Sequence, residues 1–157
     1  MNNINKIVII GGGLAGCEAA YQISRFNINV DLYEMRPKVK TEAHQTNYLA
    51  ELVCSNSFRS DDKEYNAVGV LHEELRIANS LIMKTADNNR VPAGSALAVD
   101  RDDFAKEINK TISSISNINI INQKVKELNG FNDQIVIIST GPLTSKTLTE
   151  SIKIKTS

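Results

Sequence analysis

The chain has 157 residues, 41% of them hydrophobic, and its 18 basic and 18 acidic side chains cancel. That length suits one domain burying about 70% of its unfolded surface, and the balanced charge excludes a global field for nucleic acid or membrane, so RNA contact would need a local patch. No apolar run approaches the roughly 18 residues of a membrane span and no cleavage-site pattern follows the first hydrophobic stretch, while two cysteines, Cys17 and Cys54, are too few for a disulfide framework and fit a reducing, cytoplasmic setting.

In chain order, Lys6 to Ile10 reads as a short buried strand, and Gly11, Gly13 and Gly16 supply GxGxxG. From Leu14 to about Phe26 a helix is predicted, with Ala15, Ala19, Ala20 and Ile23 on its packed face. Asn29 to Tyr33 reads as a second strand ending at Glu34. Residues 35 to 66 have no clear period and are expected to be loops with one helical turn at most, a long irregular stretch of the kind that usually carries function. Val68, Leu71, Leu75, Ala78 and Ile82 recur at steps of three and four and predict one helix running to about Ala86. Ser95 to Val99 reads as a strand, and Asp100 as the cap of a helix with inner face Phe104, Ile108, Ile112 and Ile115. Ile118 to Ile121 and Val125 to Leu128 are candidate strands, Asn129 and Gly130 a turn, and Gln134 to Ile138 a buried parallel strand broken by Thr140, Gly141 and Pro142. The alternation predicts an α/β fold, a doubly wound parallel sheet in one domain over 1–157 with an inserted segment at about 35–95.

The glycine motif sits between strand and helix, so the amides of Gly11 to Gly16, with Leu14 opening the helix, can face a pyrophosphate. Glu34 arrives eighteen residues after Gly16, where a carboxylate accepts hydrogen bonds from a ribose diol and repels a 2′-phosphate. NAD and FAD both use such a half-site. The strand ending in Thr140 and Gly141 resembles the closing strand and turn of the glutathione-reductase-like FAD fold, which favours FAD. Cys17, in the first turns of the helix, reads as a packing residue. Cys54 lies in the polar run Cys-Ser-Asn-Ser with Arg59 nearby, where cationic and amide donors stabilise a thiolate, although a buried inert thiol is the commoner outcome for such a residue. His72 reads as a solvated surface residue, and His44, ten residues before Cys54, is placed to help activate it. No metal-ligand spacing is present, so no metal site is expected. Arg36, Lys38 and Lys40 form a small basic cluster that suits phosphates of a cofactor or RNA as well as it suits a solvated loop.

Several segments are similar to the folate- and FAD-dependent tRNA uracil-5-methyltransferases of bacteria, the TrmFO family. They are GGGLAGCEAA (Gly11 to Ala20), LYEMRP (Leu32 to Pro37), ELVCSNSFRS (Glu51 to Ser60), NAVG (Asn66 to Gly69), SLIM (Ser80 to Met83), VPAG (Val91 to Gly94), ALAVDR (Ala96 to Arg101) and TGPLTS (Thr140 to Ser145), in the family's order along nearly the whole chain. The related wobble-uridine enzyme MnmG, also called GidA, resembles GGGLAGCEAA but lacks LYEMRP and ELVCSNS.

The resemblance implies a Rossmann-like, glutathione-reductase-like FAD-binding fold and methylation of the T-loop uridine of tRNA. In that reaction methylenetetrahydrofolate gives a one-carbon unit to the flavin for delivery to carbon-5, with NAD(P)H as reductant. A thiolate added at carbon-6 makes carbon-5 nucleophilic, and the uridine must be unstacked to react. Gly11, Gly12, Gly13, Leu14, Ala15, Gly16, Glu34, Met35, Arg36, Thr140 and Gly141 are the implied FAD contacts, and Cys54 matches the family's N-terminal active-site cysteine. Family members are much longer, and the ending KIKTS departs from their pattern. A C-terminally truncated or split form with a complementing C-terminal half is therefore expected. Two rival readings are a non-catalytic FAD-binding remnant and an NAD-binding oxidoreductase domain.

Overall fold

A computed structural model describes residues 5–156. Its elements are β1 (Lys6–Ile10), α1 (Leu14–Ser24), β2 (Asn29–Glu34), β3 (Ser57–Ser60), α2 (Ala67–Ile77), α3 (Leu81–Asn88), β4 (Arg90–Val91), β5 (Ala96–Val99), α4 (Arg101–Ser114), β6 (Ile118–Asn122), β7 (Ile135–Ile138) and α5 (Lys146–Thr156). Four strands form a parallel sheet in the order β6-β2-β1-β7, with Ile9 opposite Leu32 and Ile137. β1 alternates between two cores because successive side chains point to opposite faces. Ile7 and Ile9 pack with α1, α3 and α4 through Ala20, Met83, Phe104 and Ile108. Val8 and Ile10 pack with Val125, Leu128 and Leu148, the last from α5. Helices on both faces of a parallel sheet make the α/β, Rossmann-like architecture that the alternation predicts.

β3, β5 and β4 form a separate antiparallel sheet. β3 falls inside the stretch expected to be loops, and β5 joins this small sheet, leaving the parallel one at four strands.

The helix expected from Val68 to Ala86 is two helices. Asn79 adopts φ +57°, a left-handed conformation that stops α2. Ser80 then caps α3, its Oγ accepting from the Met83 N–H at 3.2 Å. Glu18 of α1 reinforces that cap, since its carboxylate accepts from Ser80 Oγ at 2.8 Å, Ile82 N–H at 2.9 Å and Leu81 N–H at 3.3 Å. The expected stripe is also rotated, for Leu71 is half exposed and His72 is buried, correcting its reading as a surface residue. A charge network lies on the face that turns inward. Asp61 meets His72 Nδ1 at 3.0 Å, Arg76 Nη2 at 2.9 Å and Arg90 Nη1 at 2.9 Å, and Gly69 approaches so closely that a Cβ there would lie 2.2 Å from the Asp62 carbonyl.

Three further differences concern the sheet and α1. Residues 125–128 form no strand, and Val125 and Leu128 serve the second core from irregular backbone. β7 is an edge strand with Ile135 and Ile138 partly exposed, not a fully buried run. In α1 the buried positions are Gly16, Cys17, Ala20 and Ser24, while Ala15 is exposed.

Candidate functional site

The carboxyl ends of β1, β2 and β7 open onto a cavity of about 420 Å³, the place where open α/β sheets bind ligands. Two glycines fix its floor. Gly11 has φ +111°, and a Cβ there would sit 2.8 Å from the Ser139 carbonyl. At Gly16 a Cβ would lie 1.8 Å from the Gly11 carbonyl oxygen, so only glycine lets α1 start this close to β1. Gly13 has open space beside it, and α1 begins at Leu14 without a side-chain cap, leaving its first amides available to a phosphate.

Glu34 is buried at the end of β2, and its Oε2 accepts from the Gly12 N–H at 3.0 Å. Its Oε1 accepts from the Arg36 N–H at 3.0 Å and from Arg36 Nε at 2.9 Å. Burial pushes its pKa up, but the hydrogen bonds and charge of Arg36 and the Gly12 amide outweigh this and hold it below the usual carboxylate range. Arg36 is 1% exposed and also reaches Glu51 Oε2 through Nη1 at 2.9 Å. It is therefore a buried ion-pair bridge at the cavity edge, which corrects its reading as part of a solvated loop. Glu51 in turn accepts from the Gln45 N–H at 2.8 Å and from the Thr46 hydroxyl at 3.0 Å. The Ala50 N–H donates to the Gly12 carbonyl at 2.8 Å. Residues 45–51 are thus clasped onto the glycine turn.

A family model described as glucose inhibited division protein A matches residues 6–156. The chain belongs to that family. This GidA-family chain is 58% identical over 147 residues to methylenetetrahydrofolate-tRNA-(uracil-5-)-methyltransferase TrmFO of Bartonella henselae, a match covering 94% of this chain and 31% of that protein. To the TrmFO of Lactobacillus johnsonii it is 53% identical over 150 residues, 96% of this chain and 34% of that one. Its fold is similar to that of Aquifex aeolicus GidA in the form II crystal, with a TM-score of 0.61 at 16% identity over 78% of this chain and 20% of that chain. The chain spans about a third of the length of the curated relatives it matches.

In this GidA-family chain the cavity wall gathers Gly11, Gly12, Gly13, Leu14, Ala15, Glu34, Met35, Arg36, Thr140, Gly141 and Cys54 from stretches far apart in sequence. Gly16 lies behind the wall, packing α1 on β1. Cys54 is an exposed free thiol, whereas Cys17 is fully buried, its Sγ 3.4 Å from the Gly12 carbonyl, and burial pushes its thiol up to about 12. His44 lines the cavity with Cys54, and its ring Nδ1 meets Thr41 Oγ1 at 2.8 Å. Burial and the Arg36 charge lower its pKa. Lys38 and Lys40 are exposed and are not part of the wall.

Sequence reasoning passed over Glu51 and Ser139. Glu51 lies inside ELVCSNSFRS, yet nothing in its local pattern signals a buried arginine as partner. Ser139 precedes the Thr-Gly turn, and its Oγ donates to the Gly11 carbonyl at 2.9 Å, tying β7 to the glycine turn. Among the described residues no group of three or more His, Cys, Asp or Glu is placed to hold a metal, and no helix is long and apolar enough to cross a membrane.

Proposed function

We propose that this chain is the FAD-binding part of a methylenetetrahydrofolate-tRNA-(uracil-5-)-methyltransferase acting on the T-loop uridine, with methylenetetrahydrofolate and NAD(P)H as co-substrates. The carrying observation is the pairing of Glu34 Oε2 with the Gly12 amide, 3.0 Å apart, at the mouth of a strand-glycine-helix junction. It supports an adenine dinucleotide whose pyrophosphate meets the first amides of α1 and whose ribose meets Glu34. The choice of FAD and of uridine methylation rests on 53–58% identity to TrmFO proteins and on the Thr140 and Gly141 backbone, which borders the same cavity.

The residues fit the cofactor, since Gly13 leaves space for a phosphate and the cavity is continuous from Glu34 to Cys54. Bound FAD would supply the one-carbon and hydride transfer. The chain's own contribution is to bind and orient. Gly11 to Ala15 receive the phosphates, Glu34 and Met35 border the ribose end, and Thr140 and Gly141 close the opposite wall. Cys54, exposed on that wall, is the thiol available to assist or protect the reacting centre. The chain spans about a third of the length of the TrmFO proteins it matches, and a complementing C-terminal polypeptide is proposed as its partner for turnover on the T-loop of tRNA. A cytoplasmic site of action follows from a tRNA substrate.

Purified protein carrying a flavin absorbance spectrum is the expected result. Colourless protein that binds only NAD would replace this reading with an NAD-dependent one. In a complemented full-length context, Cys54→Ala should alter methylation or flavin retention while leaving the fold intact, and no change in either would reduce Cys54 to a surface residue.

A further inference from the structure

Arg36 is among the most deeply buried large side chains of the protein and lies between two carboxylates, Glu34 Oε1 at 2.9 Å and Glu51 Oε2 at 2.9 Å. Its neighbours follow a pattern. Glu34 Oε1 is occupied by the backbone and side chain of Arg36, so Oε2, which takes only the Gly12 N–H, is the oxygen with acceptor capacity left for the cavity. Glu51 is fixed by Gln45 and Thr46, and the adjoining Ala50 is bonded to the Gly12 carbonyl. The guanidinium is therefore held from two sides, by Glu34 through Nε and by Glu51 through Nη1.

We propose that Arg36 is the positioning residue of the ribose end of the cleft: clamped by Glu51, it keeps Glu34 ionised and turns only Oε2 toward a ribose diol. The proposal rests on the dinucleotide reading above. It assigns Arg36 no contact with phosphate, and it makes Glu51 part of the site although Glu51 bonds only to protein. The charged and titratable groups around Glu34 are Arg36, Glu51, His44 and Cys17. Arg36 is the cation hydrogen-bonded to its carboxylate. Without it Glu34 loses the cation bonded to its carboxylate in a desolvated corner, while Glu51 keeps its Gln45 and Thr46 donors, so Glu34 is the carboxyl that takes up a proton as pH falls. A diol that needs the ionised form must then expel that proton on binding, and affinity falls as pH falls.

The test is calorimetric titration of the full chain with ADP-ribose, whose pyrophosphate does not itself titrate near neutrality. For the wild type, affinity should stay within about twofold between about pH 8 and about pH 6, with no proton exchanged on binding. Arg36→Met and Arg36→Gln should each lose about tenfold over the same interval and release a proton on binding, seen as a heat that scales with buffer ionisation enthalpy. Arg36→Lys, which keeps the charge, should restore the flat profile. Arg36→Met and Arg36→Gln profiles that run parallel to the wild type, however much weaker, would overturn the proposal, because general loosening lowers affinity equally at every pH. Failure of the wild type to bind ADP-ribose would instead remove the dinucleotide reading, and the role of Arg36 with it.

Discussion

The turn from β1 into α1 and the region from Asp61 to Arg90 are both closely packed, yet they are held by different physics. At the turn, backbone approaches backbone, and the side chains that matter are absent ones, as at Gly11 and Gly16. From Asp61 to Arg90, buried and half-buried charges do the holding: Asp61 gathers His72, Arg76 and Arg90, and Glu18 reaches across from α1 to the start of α3. At Gly16 the steric requirement comes from Gly11, close in sequence, whereas at Gly11 it comes from the Ser139 carbonyl that β7 brings alongside. A charge network of the second kind depends on partners the chain brings together only when folded.

The largest effect should come from adding atoms at the turn. Gly16→Val should destabilise the protein by about 3 kcal/mol or more, because the new Cβ overlaps the Gly11 carbonyl and neither backbone can move without opening β1 from α1. Urea denaturation would measure this, and a loss below about 1 kcal/mol would mean that the junction yields. Glu18→Ala comes next at about 2 kcal/mol, since it strips the partner from Ser80 Oγ and from the first amides of α3. Glu18→Gln, which keeps an acceptor, should recover part of that loss.

Asp61 sharpens the contrast through pH. Burial raises its pKa, but hydrogen bonds from His72 and Arg76 and the charge of Arg90 hold it below the usual carboxylate range. A folded value below the unfolded one, about 3.9, makes the ionised form stabilising above that pH, and the contribution disappears as pH falls through the folded value. Acid unfolding of the wild type should therefore steepen below about pH 4, and Asp61→Asn should be weaker at neutral pH with a shallower acid limb. Removing the Asp100 cap of α4, which accepts from the Asp102 and Asp103 amides at 3.0 Å, should cost about 1 kcal/mol. Cys54→Ala should change stability by less than about 0.5 kcal/mol, because the side chain is exposed. In the native protein a thiol reagent should count one reactive cysteine, Cys54, with Cys17 reacting only after unfolding. Two fast thiols would show that α1 opens readily.

Much of the parallel sheet and its glycine junction could be read from residues close in sequence. Lys6 to Gly16 carry the strand period, the turn and the helix start within one short stretch, and Asp100 with Phe104, Ile108 and Ile112 does the same for α4. Of the residues expected at the site, Gly11 to Ala15, Glu34, Thr140 and Gly141 border one cavity, because each lies at a strand's end or a helix's start at the same edge of the sheet. Glu51 was not legible as a partner, nor Arg36 as a buried bridge, because the stability of a buried charge depends on opposite charges from other parts of the chain.

The sequence by itself determined the α/β architecture and the placement of the glycine turn, since both follow from hydrophobic period and from steric limits that act between neighbours in the chain. The break between α2 and α3, the burial of His72, the antiparallel sheet of β3, β4 and β5 and the inward turn of Arg36 were decided by tertiary structure alone. All involve partners that lie well apart along the chain, such as Glu18 with the α3 amides, Glu51 with Arg36 or Asp61 with Arg90, beside whatever local contacts they also make. Local propensity has no access to those partners until the fold has brought them within hydrogen-bonding distance.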